Sequence, residues 1–156
     1  MSETSVKEAL DAANSYAKYY STCVKVQVGS VIETTSGLYV YGCNHGVMNC
    51  KKNGCRRIRL YGENSKNHRL PSDCDALHSE VDAICKAVHR GINLTGATIY
   101  VTRYPCESCA RAIAESGIKQ VYYGRGESIS DYTKTILDYY GVKIEKIDWT
   151  EEDNNA

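Results

Sequence analysis

The apolar positions of this chain change period several times, and each change marks an element. From about Val6 to Tyr20, the residues Leu10, Ala13, Tyr16, Ala17 and Tyr20 fall near one face of a helix. Val26-Gln27-Val28-Gly29-Ser30-Val31-Ile32 then alternates and is rich in β-branched residues, which predicts a strand. Ser36-Gly37 signals a turn, and Leu38-Tyr39-Val40-Tyr41-Gly42-Cys43 reads as the hairpin partner. From Asn44 to about Asp75 the pattern dissolves. A loop of that length inside a compact domain is uncommon, and is commonly functional or tied down. Helical periodicity returns from Ser79 to about Arg90, closed by Gly91, from Cys106 to Ser116, closed by Gly117, and from about Ser130 to Tyr140, closed by Gly141. Between these lie the predicted strands Ala97–Thr102, Lys119–Tyr123 and Val142–Ile147.

This order predicts an α/β fold. It is a three-layer αβα sandwich whose five-stranded mixed sheet carries helices on both faces, with its first two strands antiparallel and later strands parallel across helical crossovers. No linker or internal repeat interrupts the pattern, so residues 1–156 read as one domain with a frayed tail from about residue 150.

Composition narrows the class. Nineteen basic and nineteen acidic side chains give a net charge of zero. Domains that bind a nucleic-acid polymer usually carry a basic excess, so such a partner is not expected. No run approaches the ~18 apolar residues of a membrane span. The start, Met1-Ser2-Glu3-Thr4, lacks the charged and apolar regions of a secretory signal. Eight cysteines without a signal point to metal ligands and free thiols in the cytoplasm rather than disulfides.

The chemistry is concentrated in two stretches, His78-Ser79-Glu80 and Pro105-Cys106-Glu107-Ser108-Cys109. One imidazole and two thiolates suit a tetrahedral zinc whose fourth position stays open for water. A carboxylate that is not a ligand, Glu80, lies two residues after the histidine and can carry protons. Both stretches lead into predicted helices, whose positive ends favour thiolate over thiol at Cys106 and Cys109. The alternative is a lone histidine, an ordinary helical glutamate and two core cysteines. Both motifs in this order weigh against it, because together they match the signature of zinc nucleobase deaminases. The basic run Lys51–Arg59, read alone, is either a solvated face or a phosphate-binding one.

From about Ala13 to Ile147 the chain resembles the deoxycytidylate (dCMP) deaminase family of the cytidine deaminase superfamily. The resemblance rests on the two zinc motifs, on Ser21-Thr22-Cys23 followed by Gln27–Ile32, on Gly42-Cys43-Asn44, on Gly96–Thr102 and on Gly117–Gly124. It implies hydrolytic conversion of dCMP to dUMP, with zinc on His78, Cys106 and Cys109 and Glu80 as proton shuttle. It places Asn44, Ser79 and Tyr123 at the substrate. It implies a homo-oligomer, often a hexamer, and dCTP and dTTP effectors acting with magnesium. Another small cytosine substrate (dCTP or cytidine) is the alternative, and a non-catalytic zinc-binding module is a further one.

Two departures stand out. Ser79 and Asp82 occupy positions where the family motif usually has Ala and Asn, and the loop Gly42–Asn49 lacks the usual proline. Cys23, Cys50, Cys55 and Cys74 resemble the thiols that some members place around a second, structural zinc; four free thiols are the alternative. Cys43 and Cys85 are expected to be buried and inert.

Overall fold

The Ser2 hydroxyl accepts the backbone N–H of Ser5, so the first helix, α1, starts at Glu3 and runs to Tyr20. The structure, a computed structural model, describes residues 2–62, 74–128 and 132–151. Strands β1 (Gly29–Glu33) and β2 (Tyr39–Cys43) form the expected antiparallel hairpin. Further along come helix α4 (Ser79–His89), strand β5 (Thr98–Arg103), helix α5 (Glu107–Glu115), strand β6 (Gln120–Arg125), helix α6 (Tyr132–Tyr139) and strand β7 (Lys143–Lys146). The main sheet has the order β2-β1-β5-β6-β7. It is antiparallel up to β5 and parallel from β5 to β7.

Period-two alternation sorts the sheet residues between two cores. Ile32, Val40, Ile99, Val101 and Val121 pack with Ala83 and Ala87 of α4, Ile113 of α5 and Leu137 of α6. Val31 and Tyr100 point the other way and pack with Val6, Leu10 and Ala13 of α1, with Ile147 and Trp149 closing that core. The layers are therefore α1, the sheet, and α4 to α6.

Two expectations need correction. First, β1 begins at Gly29 rather than Val26. The Asn44 side chain takes the place of a ladder partner there. Its Oδ1 accepts from Val28 N (2.9 Å), its Nδ2 donates to Val26 O (2.8 Å) and its backbone N donates to Val28 O (3.1 Å), and residues 26–28 lie outside the strand. Second, residues 44–75 are not a plain loop. They include strand β3 (His45–Gly46), helices α2 (Cys50–Asn53) and α3 (Arg56–Tyr61), and Ala76–Leu77 follow as strand β4, paired antiparallel with β3. The predicted starts of the 130–140 helix and the terminal tail include positions outside the described residues.

Gly42 fixes how α4 meets the sheet. A Cβ there would lie 2.3 Å from Ser79 O and 2.5 Å from Ala83 N, so only glycine lets β2 press against the first turn of α4.

Candidate functional site

His78 is the N-cap of α4 and Cys106 the N-cap of α5, and neither side chain makes a capping hydrogen bond. Both turn to a shared point instead. His78 Nδ1 lies 3.5 Å from Cys106 Sγ and 3.3 Å from Cys109 Sγ. A tetrahedral zinc with bonds of ~2.1–2.3 Å has ligand-to-ligand edges of roughly 3.4–3.8 Å, so the triangle fits that ion. Among the described residues it is the only group of three or more His, Cys, Asp or Glu ligand atoms within 4.8 Å of one another. The Cys106 thiol pKa is drawn down to about 3, chiefly by the hydrogen bond from Cys109, against burial, with His78 helping. That makes it the readiest thiolate of the set. The fit is thus both geometric and chemical.

The loop before α5 is held from two sides. Tyr104 N donates to Arg125 O (2.8 Å), and the Thr133 hydroxyl donates to Pro105 O (3.2 Å).

Glu80 is 4% exposed, and burial pushes its carboxyl up from the ordinary range. Its charge is one of the influences that raise the Cys109 thiol, after the Cys106 hydrogen bond and burial, so the carboxylate lies beside the triangle. Its Oε2 accepts from the Ser79 hydroxyl at 3.1 Å.

The triangle opens into a cleft of about 1030 Å³. Of the basic run, Arg57 reaches its wall, and Arg103 joins it from the end of β5. Arg56 instead approaches Asp75 at 3.8 Å. Glu107 and Glu127 also line the cleft, near Arg111 and Lys146 respectively, each at 4.0 Å.

The other expected site residues fall differently. Asn44 is buried and bonded to Ser21 as well as to the 26–28 segment. Ser79 is fully buried, with its hydroxyl on Glu80 and Ser30. Tyr123 sits edge-on behind Tyr104, ring centroids 4.9 Å apart, and it is Tyr104 that lines the cleft.

Asp82 is buried and turned away from the cleft. Burial alone would raise its pKa, but Lys86 Nζ (2.7 Å), Cys43 N (3.0 Å) and His45 (2.8 Å) together hold it below the usual carboxylate range. Cys43 is buried as expected, whereas Cys85 is exposed, a correction. Residues 82, 83 and 87 take the inner stripe of α4, and position 85 falls outside it.

Cys23, Cys50, Cys55 and Cys74 are half-buried neighbours rather than a closed cluster. Lys51 N donates to Thr22 O (3.2 Å), which brings the start of α2 to Cys23. Burial, then the nearness of Cys55, Cys23 and Cys74, raises the Cys50 thiol.

A His-Cys-Cys triangle at two helix starts, beside a sheltered carboxylate on this sheet, is the architecture of a zinc-binding deaminase domain. The chain belongs to the cytidine and deoxycytidylate deaminase family, whose zinc-binding region matches residues 3–125. It is 35% identical over 109 residues to the deoxycytidylate deaminase of Mycobacterium phage D29, covering 66% of this chain and 81% of that protein. It is 30% identical over 134 residues to ComE operon protein 2 of Bacillus subtilis (strain 168), covering 84% of this chain and 65% of that protein. The matches cover 35% to 41% of the length of four further deoxycytidylate deaminases, over 67 residues in those of phages T2 and T4 and over 133 and 135 residues in those of Schizosaccharomyces pombe and Saccharomyces cerevisiae. Its fold is that of the dCMP deaminase of cyanophage S-TIM5, solved with dCMP and dUMP. The TM-score is 0.68 at 24% identity, over 94% of this chain and 98% of that one. Among the described residues no helix is long and apolar enough to cross a membrane.

Proposed function

We propose that this protein is a zinc-dependent hydrolytic deaminase that converts dCMP to dUMP. The observation that carries the reading is the buried Glu80 carboxylate beside an open-sided His78, Cys106 and Cys109 triangle. A structural metal site has no need of such a group. Zinc bound there supplies Lewis acidity, lowering the pKa of a coordinated water toward ~7. Glu80 takes one proton from the water and delivers it to N3 of the cytosine ring as the water oxygen adds to C4, then takes the second proton from that oxygen and passes it to the amine as the C4–N bond breaks and ammonia leaves. The low exposure of Glu80 keeps bulk water from competing for that proton. The family model supports the zinc, and the relatives named deoxycytidylate deaminase support the substrate class. Arg57 and Arg103 are the phosphate partners in this reading, since guanidinium forks match phosphate oxygens. Zinc-loaded protein should turn dCMP into equal amounts of dUMP and ammonia, lose this on chelation and regain it with added zinc. No product from any cytosine nucleoside or nucleotide would overturn the reading.

The same proposal extends to a second, structural zinc on Cys23, Cys50, Cys55 and Cys74. Metal analysis should find two zinc ions per chain. Cys50→Ser should lower Tm, because binding energy at a structural site is folding energy. One zinc per chain with all four thiols titratable would refute it. A homo-oligomer, and control by dCTP and dTTP with magnesium, rest on the family resemblance.

A further inference from the structure

The carboxylate that moves protons must point the right way at each turnover, and one chain of hydroxyls fixes its direction. Ser30 Oγ lies 2.6 Å from Ser79 Oγ, and the Ser79 hydroxyl donates to Glu80 Oε2 at 3.1 Å. Ser30 and Ser79 are 0% exposed. A hydroxyl has one proton to give. Since Ser79 gives its proton to Glu80, the short contact to Ser30 must run from Ser30 to Ser79. Ser30 is paired on both sides, with Gly42 of β2 and Val101 of β5, in the interior of the sheet. The chain of hydroxyls therefore ends at a rigid, dry point. It cannot conduct protons to solvent, but it can anchor.

We propose that Ser79, held by Ser30, is the positioning residue that fixes the Glu80 carboxylate toward the metal triangle. This rests on the deaminase reading above. With Oε2 tied to Ser79, the carboxylate is held in one orientation. Orientation of this kind acts on the chemical step, since a small misplacement of a catalytic group costs rate more than binding. The family motif usually has Ala here, so Ser79→Ala removes the donor at a position where the backbone tolerates the smaller residue.

The test is steady-state kinetics on zinc-loaded Ser79→Ala, Ser30→Ala and the double variant, alongside zinc content. Ser79→Ala should lower kcat roughly ten-fold or more, as expected for a lost hydrogen bond to a charged group. Its KM should stay within about two-fold of wild type, the pattern of an interaction needed only in the transition state. Ser30→Ala should lose less. Ser30 acts only through Ser79, so the double variant should have the kcat of Ser79→Ala. Unchanged kcat in Ser79→Ala, or losses that multiply in the double variant, would overturn the inference while leaving the deaminase reading intact.

Urea unfolding supplies a readout free of turnover. Ser79→Ala should reduce the folding equilibrium constant at least about two-fold more in the wild-type background than in Glu80→Ala, which removes the acceptor altogether, the size of coupling expected for touching groups. Equal reductions in both backgrounds would overturn the contact even if the protein proved to have no deaminase activity.

Discussion

Glu80→Gln is expected to keep the fold and the zinc and to lose deamination by at least ~10²-fold, the low end for a general acid–base group. Glutamine matches glutamate in volume, so the packing around a residue only 4% exposed is preserved. Its amide oxygen can still accept from the Ser79 hydroxyl, which in the native protein meets Oε2 at 3.1 Å. The three metal-facing atoms of His78, Cys106 and Cys109 are untouched. What disappears in the proposed mechanism is the ability to carry one proton of the water to the ring and the other to the amine. The comparison needs kcat, zinc content and a far-UV spectrum on the same preparation. Turnover near wild type with stoichiometric zinc would remove Glu80 from the mechanism.

The second large effect concerns substrate choice. In the proposed reaction the metal triangle and Glu80 act on the base, so they cannot tell a nucleoside from its phosphate. Arg57 and Arg103 line the same cleft and are the proposed phosphate partners. Arg57→Ala and Arg103→Ala should each weaken dCMP by ~10–100-fold in kcat/KM, the range for a hydrogen bond to a charged group. Most of that change should lie in KM, since the contact is made equally in ground and transition states. Deoxycytidine should be nearly indifferent to both changes. Added salt should raise the KM for dCMP by screening the attraction. Asp82 would not oppose a phosphate in the cleft, because its charge is balanced by Lys86 and its oxygens are taken by Cys43 N and His45. Glu107 and Glu127 do face the cleft, each with a cation 4.0 Å away. Losses confined to kcat, or equal for dCMP and deoxycytidine, would remove the two arginines from phosphate recognition.

The metal motifs were legible because each is local. His78 and Glu80 share the first turn of one helix, and Cys106 and Cys109 lie one turn apart. Helix lengths and the mixed sheet followed from periodicity and from glycines after the last turns. The stretch 44–75 was not legible, since a four-residue and a six-residue helix are too short to show a period. The resemblance implies that Asn44 meets the substrate; that its side chain also bonds the backbone of Val26 and Val28 was not legible, because those residues approach it only in the folded chain. Ser79 likewise reads as a plain substitution until Ser30, 49 positions earlier, is seen against it. The Asp82–Lys86 pair was open to reading, being four apart on a helix. His45, which completes it, comes from another element.

The most direct measurement is kcat/KM for deoxycytidine, dCMP and dCTP with zinc-loaded protein in one buffer. The account predicts dCMP far above deoxycytidine, by as much as ~10⁴-fold, the discrimination open to a site built to pair a polar group its analogue lacks. It also predicts dCTP below dCMP. Equal values for deoxycytidine and dCMP, or a preference for dCTP, would contradict it.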